Sequence, residues 1–516
     1  MKPLLISSRD DGGGAARAAF RLFQGLRGSG LAARMVVKQA VSRHPEVAEL
    51  RIAAGREYRR ASSRYWMAQY ALIDNRRSGM SNSWFSFPYP GFDLTSLPLV
   101  READLFNLHW VAHFQSVESI GALLQTGKPV VWTLHDANPL TGGCHYPAGC
   151  RNFMDACRNC PQLETDPLGI PAAVLANKLR RWQGNLHIAT PSNWMCRMAQ
   201  DSRVFGRYPV QVIPNAVDER IFRPHAREAS RRTLGIPADG TAILFCAEAH
   251  NELRKGFFHL LESLKICAAK TRRSRRKIDL MLLTVGKSDG ALADVGLPFH
   301  ELGYLRTEEE MARAYAAADI FVQPSLEDNL PNTVMEAQAC GIAVAAFAAG
   351  GIPDMVRDGE TGVLCPVGDA QALARAILRL AADSELRNRL GRKARQQVES
   401  LYRLEHQARA YGDLFQHLAL AGTSSGRKWT NPARAELPAW QPQEDPLLHP
   451  IMRAADRRDL SRKLRHRLHE KRRLLSAEDR ARIVKARLLG RRQNIFTRKA
   501  YALLRWCWRI SRGLRR

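Results

Sequence analysis

The sequence has no long apolar segment, and acidic residues are scarce near its end. None of its 516 residues lies in an uninterrupted apolar run of the roughly 18 residues that a membrane-spanning helix needs. The first residues, MKPLLISSRDDGGG, hold one lysine and too short an apolar run for a signal peptide. We therefore expect a cytoplasmic protein whose ten cysteines are reduced or metal-bound rather than paired in disulfides.

The shortage of acidic residues is greatest in residues 422–516. This part has 26 Lys and Arg against 8 Asp and Glu, and so it supplies +18 of the formal charge of +28. Residues 422–446, rich in Pro, Gly and Ser, predict a linker, and residues 447–516 predict a basic extension that is helical in pieces. The tryptophans and arginines of residues 495–516 favour a peripheral contact with an anionic membrane surface at the inner face of the cell membrane. Nucleic-acid binding through charge alone and a solvated tail are the alternatives.

Short apolar runs recur along the first 420 residues and alternate with amphipathic segments. Such runs indicate parallel strands with helices on both faces of the sheet. They lie at 4–7, 33–38, 104–111, 129–134, 186–190 and 210–214, and again at 242–246, 278–286, 318–325, 342–347 and 361–366. Because the pattern restarts after a turn near Asn215, we predict an α/β fold with two doubly wound domains, at 1–215 and 216–400. A terminal helix at 401–421 is expected to follow.

Candidate ligand-binding residues follow the predicted strands, since ligands of open α/β sheets bind beyond the carboxyl ends of the strands. Gly13 and Gly14 follow the first strand and lead into a helix, where backbone N–H groups can approach a phosphate. A flexible turn is the alternative. His135 and Asp136 follow a later strand, and a histidine there could orient an acceptor hydroxyl or contact a sugar. A helix cap at Asp136 beside a packed histidine is the alternative.

The segment LRKGF places Arg254 and Lys255 before Gly256, at a predicted helix start. Cations beside a helix N-terminus could neutralise a diphosphate leaving group and lower the barrier to glycosyl transfer without a metal ion. An ordinary solvated surface is the alternative.

The most specific signal is SLEDNLPNTVMEAQACG, residues 325–341. Pro331 suits the first turn of a helix and Gly341 suits its end, so Asp328 should lie in the loop before this helix and Glu336 within it.

Two groups of backbone N–H donors accompany these acids. The free N–H groups near Asn332 and Thr333 favour an anion before the helix. Gly350 and Gly351 offer a second glycine-rich helix start nearby. A diphosphate between these elements, with a ribose near one acid and a sugar near the other, is sterically reasonable.

These motifs resemble the family-4 retaining glycosyltransferases of the GT-B fold. The family pattern PSxxExxxPxxxxEAxACGxPV, followed by GGxPE and DGxTGxLxPxGD, appears here as PSLEDNLPNTVMEAQACGIAV and GGIPDMVRDGETGVLCPVGD. Asp328 stands eight residues before Glu336, at the place of the family's first acid. Glu327 stands nine before it and is interpreted as a loop residue. The resemblance covers about residues 1–420.

The resemblance implies two Rossmann-like domains facing a cleft, with the terminal helix packed back on the first domain. It also implies a hexosyl transferase that takes sugar from a nucleoside diphosphate with retention and without a cofactor. A bacterial subgroup that builds exopolysaccharide or colanic acid is similar at the segment WTLHD…TGGCHY, which implies a growing, lipid-linked surface glycan as the acceptor. The sequence has no D-x-D element of the metal-dependent enzymes, which agrees with this reading.

The resemblance also assigns roles to single residues. Glu336 would bind the ribose of the donor, Asp328 would contact the donor sugar, and Lys255 would bind the diphosphate. Gly13 and Gly14 would lie against the donor phosphates, and His135 would lie beside the transferred sugar and the acceptor. Arg254 is a candidate second phosphate cation, because Ala249 stands where many relatives have arginine.

Four cysteines fall within seventeen residues, at Cys144, Cys150, Cys157 and Cys160. Their number matches a tetrahedral structural zinc site, and C-x2-C is a usual ligand pair. Unligated or disulfide-bonded cysteines and an iron–sulfur cluster are the alternatives.

Two other kinds of protein compete with the enzyme. One is a basic nucleic-acid-binding protein with a zinc finger, and the other is an inactive relative that binds only the nucleotide sugar. The basic charge lies beyond a linker while the acids and glycines lie at strand ends, so nucleic acid is the less expected partner.

Overall fold

The structure is a computed structural model that describes residues 1–50, 65–66, 68–88, 91–273, 278–287 and 292–420. The described residues all belong to one compact unit, Met1–Asp445. The predicted linker at 422–446 and the basic extension at 447–516 lie outside them. Among the helices of the described residues, none combines the length and the apolar character that crossing a membrane requires.

The first domain is built on a parallel sheet. Its strands are β1 (Pro3–Arg9), β2 (Arg34–Gln39), β3 (Val47–Glu49), β4 (Leu105–Leu108), β5 (Val130–Thr133), β6 (Leu186–Thr190) and β7 (Val210–Val212). Its helices are α1 (Gly14–Gly28), α2 (Pro98–Glu102), α3 (Val117–Leu124), α4 (Ile170–Arg181) and α5 (Asn193–Asp201), with 3-10 turns at Asp74–Arg76, Asn138–Leu140 and Asn152–Met154. The order across the sheet is β3-β2-β1-β4-β5-β6-β7.

The second domain has a parallel sheet of its own. Its strands are β8 (Thr241–Ala249), β9 (Leu280–Lys287), β10 (Phe299–Gly303), β11 (Ile320–Gln323), β12 (Ala343–Phe347) and β13 (Gly362–Cys365). The helices that follow the first domain are α6 (Arg227–Leu234), α7 (Phe257–Arg273), α8 (Glu308–Ala317), α9 (Asn332–Ala339), α10 (Ile352–Met355), α11 (Ala370–Ala382), α12 (Ser384–Leu401) and α13 (Leu404–Leu420), with 3-10 turns at Leu253–Lys255 and Ala293–Val295. The order across this sheet is β10-β9-β8-β11-β12-β13.

Both sheets are doubly wound, which confirms the predicted α/β class. In each sheet the first strand lies in the interior. The chain first adds strands towards one edge and then returns to the other side of that first strand, so that β1 and β4 are neighbours in one sheet and β8 and β11 in the other. Such a crossover opens a crevice at the carboxyl ends of the strands. The sequence did not predict β3 and β10, because these edge strands, VAE and FHELG, are half-exposed or exposed and need no apolar run.

Helix α13 packs against α1 on one face of the first sheet. A β-carbon on Gly25 of α1 would lie 2.9 Å from the carbonyl oxygen of Leu404, so glycine permits the close approach of the two helices. Tyr411 is fully buried in this layer, and its hydroxyl lies 2.8 Å from Oγ1 of Thr133 on β5. The last described helix thus covers the first domain.

Candidate functional site

Two helix N-termini meet between the domains. Helix α1 begins at Gly14, directly after β1 and its glycine loop, and α9 begins at Asn332, directly after Pro331. Nδ2 of Asn332 donates a hydrogen bond to the carbonyl oxygen of Gly14 at 2.9 Å. Both helix ends carry partial positive charge and unpaired N–H groups. Their meeting point therefore favours an anion.

The glycines of this region are required by the backbone. Gly12 and Gly13 have φ of 92° and 150°, which L-residues with a side chain rarely adopt. A β-carbon on Gly350 would lie 1.8 Å from the carbonyl oxygen of Asp328, and one on Gly351 would lie 1.9 Å from that of Asn329. The glycines before α10 are therefore packed directly against the loop that carries Asp328.

Asp328 is 5% exposed and lies among cations. Its Oδ2 accepts a hydrogen bond from Nζ of Lys255 at 2.7 Å and lies 3.4 Å from Nη1 of Arg254. The hydroxyl of Ser325 lies 3.3 Å from the same oxygen. Burial raises the pKa of Asp328, but the two cations lower it further, and the net pKa lies below the usual value. The structure thus holds Asp328 as a carboxylate beside Lys255.

The cationic pair Arg254 and Lys255 lies just before the start of a helix, as predicted. Both residues lie in a 3-10 turn that Gly256 ends at φ 67°, and α7 begins only at Phe257. The left-handed glycine separates the turn from the helix, so neither cation lies in the first turn of α7.

The guanidinium of Arg254 is already engaged. Its Nε donates to Oε1 of Glu252 at 2.7 Å, and its Cζ lies 3.9 Å from the centre of the Tyr146 ring of the first domain. Burial lowers the pKa of Arg254, but Tyr146, Asp328 and Glu252 raise it by more. Arg254 therefore holds the two domains together beside Asp328.

Glu336 is 2% exposed, and its two carboxylate oxygens have different partners. Oε1 accepts a hydrogen bond from Nη2 of Arg21 at 2.7 Å, and Oε2 accepts one from the hydroxyl of Tyr315 at 3.0 Å. Arg21 belongs to α1 of the first domain and Tyr315 to α8 of the second. Glu336 therefore takes part in an ion pair between the domains.

His135 lies at the end of β5, next to another histidine. Its Nε2 lies 2.9 Å from Nδ1 of His109, whose Nε2 lies 3.0 Å from Oδ1 of Asn107. Burial lowers the pKa of His135 to about 4, so the imidazole is neutral near pH 7. A neutral ring can accept or donate one hydrogen bond at each nitrogen but carries no charge to offer a phosphate.

Asp136 combines a backbone contact with two side-chain contacts. Its Oδ1 accepts from the backbone N–H of Asn138 at 2.9 Å, at the start of the turn Asn138–Leu140, whose N-cap residue is Ala137. Its Oδ2 accepts from Nε1 of Trp110 at 2.7 Å and lies 2.6 Å from Nδ1 of His145. Asp136 thus bonds to the backbone beside a buried histidine, His145, but it is not the N-cap of a helix.

Three contacts between the domains involve residues that the sequence did not single out. Besides Arg21, Asn329 donates from Nδ2 to the carbonyl oxygens of Leu134 and His135, at 2.9 and 3.1 Å. Oε2 of Glu327, the residue interpreted as a simple loop position, accepts from the backbone N–H of Ala148 at 2.9 Å. Burial raises the pKa of Glu327 to about 7. In the sequence these residues are ordinary polar positions, because their partners lie far away along the chain.

A chain of contacts therefore joins most of the predicted site. Lys255 reaches Asp328, the two loop glycines Gly350 and Gly351 pack on its loop, and Asn329 reaches His135. Thr333, in the first turn of α9, turns its hydroxyl to Oε1 of Gln323 at 3.1 Å.

The four predicted metal ligands line one cavity. Cys144, Cys150, Cys157 and Cys160 surround it together with Phe85 and Phe153. Every cysteine of the described residues is free of disulfide bonds. No three His, Cys, Asp or Glu side chains of the described residues lie in an arrangement that could hold a metal ion.

Solved structures share the two-domain architecture. Sucrose-phosphate synthase from Thermosynechococcus elongatus is 20% identical, with a TM-score of 0.55, over 82% of this chain and 100% of its own. Anabaena HepE in complex with UDP-glucose is 16% identical, with a TM-score of 0.54, over 81% of this chain and 100% of its own. At such identities the likeness shows the fold, which is GT-B.

Sequence comparisons point to a class of enzyme with this fold. Residues 240–383 match the family described as glycosyl transferases group 1. A D-inositol 3-phosphate glycosyltransferase from Streptomyces bingchenggensis is 33% identical over 217 residues, which are 38% of this chain and 46% of the relative. The N-acetyl-alpha-D-glucosaminyl L-malate synthase of Bacillus anthracis is 24% identical over 213 residues, or 40% of this chain and 53% of the relative. The chain thus spans about half the length of the curated relatives it matches, and the matches support a group 1 glycosyltransferase.

Proposed function

We propose that the protein is a retaining glycosyltransferase of family 4 that transfers a sugar from a nucleoside diphosphate to a glycan acceptor. The observation that carries the proposal is the meeting of the N-termini of α1 and α9 beside the Asp328–Lys255 pair. This arrangement offers N–H donors and a cation to a diphosphate, and carboxylates to the hydroxyls on either side of it.

Within this proposal each side chain has a defined task. Lys255 binds the diphosphate, assisted by the N–H groups at Gly13 and Gly14 and by those at Asn332 and Thr333. The loop of Gly350 and Gly351 supports the Asp328 loop and brings its own N–H groups near the phosphates.

The acids flank the diphosphate. Asp328 accepts hydrogen bonds from hydroxyls of the donor sugar, and Glu336 accepts them from the ribose. The neutral His135 lies by the transferred sugar and the acceptor. The departing phosphate oxygen takes the proton of the attacking hydroxyl, so the new bond forms on the face that the phosphate leaves. Arg254 holds the domains beside this site rather than acting as a free phosphate cation.

For the acceptor we propose a lipid-linked surface glycan. The support is the basic, tryptophan-containing segment at 495–516, which suits anionic lipid head groups and would keep the enzyme at the inner face of the membrane. The relatives' names suggest a second acceptor class, a small polyol phosphate or hydroxy acid. An enzyme for a small acceptor would work equally well without lipid.

We also propose a structural zinc ion for the cysteine loop. The support is the number and spacing of Cys144, Cys150, Cys157 and Cys160, which all line one cavity, since thiolates are the ligands that structural zinc prefers. In the described residues they are not arranged to hold a metal ion, so zinc binding would have to draw them together. The metal would hold the loop that brings Tyr146 and Ala148 to the second domain. Elemental analysis of the purified protein should find one zinc per chain, and the absence of zinc together with four freely titratable thiols would refute this.

The enzyme proposal is tested by incubation with UDP-, GDP- and ADP-sugars, with and without bacterial lipid extract. We expect nucleotide release from one donor, with stimulation by the extract. Glu336→Gln should lose this activity, whereas Glu360→Gln, a change at an exposed ion pair with Arg357, should retain it. Binding of a donor without release under any condition would favour the inactive relative. If no donor is bound or consumed, the enzyme proposal fails and nucleic-acid binding becomes the better explanation.

A further inference from the structure

Arg21 is a buried arginine that crosses from the first domain to the second. Its side chain is 2% exposed, and its Nη2 lies 2.6 Å from Oε1 of Glu308 and 2.7 Å from Oε1 of Glu336. Its Nη1 lies 3.4 Å from the carbonyl oxygen of Ala216, and its Cζ lies 5.2 Å from the centre of the Phe222 ring. The guanidinium is thus fixed by charge, by a carbonyl group and by an aromatic face.

One carboxylate would be enough to neutralise this arginine. Glu308 supplies it, through two hydrogen bonds at 2.6 and 3.0 Å from Nη2 and Nε. The second acid, Glu336, is itself 2% exposed, with Arg17 as a further cation nearby, and burying another charge in the cluster is costly to folding unless it serves another purpose. That cost is the reason to look for a binding role rather than a structural one.

The carboxylate of Glu336 keeps acceptor capacity for a ligand. Each of its oxygens accepts one hydrogen bond, from Arg21 and from Tyr315, although an ionised carboxylate offers about four acceptor sites. The two donors fix the plane and the rotamer of the carboxylate. The remaining lone pairs then point in set directions, as the recognition of two neighbouring hydroxyls requires.

We propose that Arg21 is a positioning residue, which sets the Glu336 carboxylate for the ribose hydroxyls of the donor nucleotide. The inference rests on the proposed function, under which Glu336 binds the ribose. Because Arg21 belongs to α1 and Glu336 to α9, the ribose site is complete only when the two domains are together. Arg21 acts through Glu336 and does not itself touch the nucleotide.

The test compares ribose with dideoxyribose nucleotides. Dissociation constants are measured by calorimetry for UDP, GDP and ADP and for their 2′,3′-dideoxy counterparts. Since charged hydrogen bonds contribute about 1.5–3 kcal/mol, the wild-type protein should prefer the ribose form of its nucleotide by about tenfold or more. Arg21→Gln should lower this preference to within about threefold of unity and leave the affinity for the dideoxy form nearly unchanged. Arg21→Lys, which keeps the charge but not the fork, should lie between.

A matched control separates positioning from stability. Arg231 is also buried, at 1% exposure of its side chain, and pairs with Asp319 at 2.7 Å, but Asp319 takes no part in the candidate site. Arg231→Gln should lower the unfolding midpoint and keep the ribose preference. If Arg21→Gln or Arg21→Lys weakens both nucleotide forms equally, Arg21 is only an interdomain brace and the inference fails. If the wild-type protein binds none of the nucleotides, it is the proposed function that fails.

Discussion

Gly256→Ala should separate the cations of the site from its acid. Gly256 has φ 67°, and a β-carbon there would lie 1.7 Å from the carbonyl oxygen of Pro324, whereas real β-carbons essentially never come within 3.0 Å of another atom. The turn that carries Arg254 and Lys255 must therefore move away from the chain that leads to Asp328. The backbone N–H of Leu326 donates to the carbonyl oxygen of Arg254 at 2.7 Å, and this bond should break.

The cost of the substitution can be divided into two parts. The left-handed conformation costs a residue with a β-carbon about 1–2 kcal/mol, and the forced contact costs about 1–3 kcal/mol more. Gly235 provides the matched control, because it has the same φ of 67° and nothing within 4 Å of its β-carbon position. Gly235→Ala should therefore show the first cost alone.

Urea unfolding of both variants measures the difference in their free energies of unfolding. Calorimetry with the donor nucleotide measures how each substitution changes binding at the site. We expect Gly256→Ala to be less stable than Gly235→Ala by about 1–3 kcal/mol and to bind the nucleotide at least about tenfold more weakly. Equal stabilities would mean that the turn and the Asp328 loop are not packed together as described. Lower stability with unchanged nucleotide binding would refute the placement of the diphosphate at this turn.

Three further variants test the site and the tail. Glu327→Gln should become more stable than wild type as the pH rises from 5 to 8, and the difference in urea unfolding should reach roughly 2 kcal/mol. The reason is that a carboxyl group whose pKa is raised to about 7 stabilises the fold only while it is protonated. Parallel stability–pH curves of the two proteins would contradict this. The same variant should stay active, whereas Asp328→Asn should lower kcat/KM by more than about a hundredfold; equal activities would contradict this assignment, and the reverse order would exchange the roles of the two acids. Deletion of residues 423–516 should shift the protein from the membrane to the soluble fraction in cell fractionation, and an unchanged distribution would exclude the proposed anchor.

The sequence was most informative where structure depends on neighbours along the chain. The strand runs are buried on both faces, so they are continuous apolar segments and could be recognised. The register of Asp328 and Glu336 depends only on a loop and a helix within one short segment, with Pro331 and Gly341 at the helix ends. The glycine loops before α1 and α10 could also be recognised from the sequence, because their conformations exclude other residues.

The contacts between the domains could not be found in this way. Arg21 and Glu336 are 315 residues apart, and Glu327 and Ala148 are 179 apart. Within α1, Arg21 follows an apolar residue and precedes another, as a solvated cation of an amphipathic helix also would. Only the packing of the second domain on α1 makes it a buried residue. The same packing turned Glu327 from a loop position into an acceptor for the other domain.

The charge balance of the site directs attention to Arg9. Arg21 is held by two carboxylates, Arg254 by Glu252 and by the Tyr146 ring, and Lys255 is shared with Asp328. A diphosphate that carries at least two negative charges thus finds only part of one cation free among these three. Arg9 ends β1, directly before the loop that leads to α1. Its Nη1 lies 3.1 Å from the place of a β-carbon on Gly12, and its buried Nε has no hydrogen-bond partner among the residues that the structure describes.

An unpaired guanidinium beside the glycine loop is suited to a phosphate, since a planar fork of donors matches its oxygens. Arg9→Gln should therefore weaken the binding of the nucleoside diphosphate that the protein prefers by about tenfold and leave the binding of the matching nucleoside, which has no phosphate, unchanged. The preference for ribose over dideoxyribose should also persist, because Arg21 and Glu336 are untouched. Calorimetry with that nucleotide, its nucleoside and its 2′,3′-dideoxy form distinguishes these effects. Equal weakening of the nucleotide and the nucleoside would show that Arg9 supports the fold of the loop and does not neutralise the diphosphate.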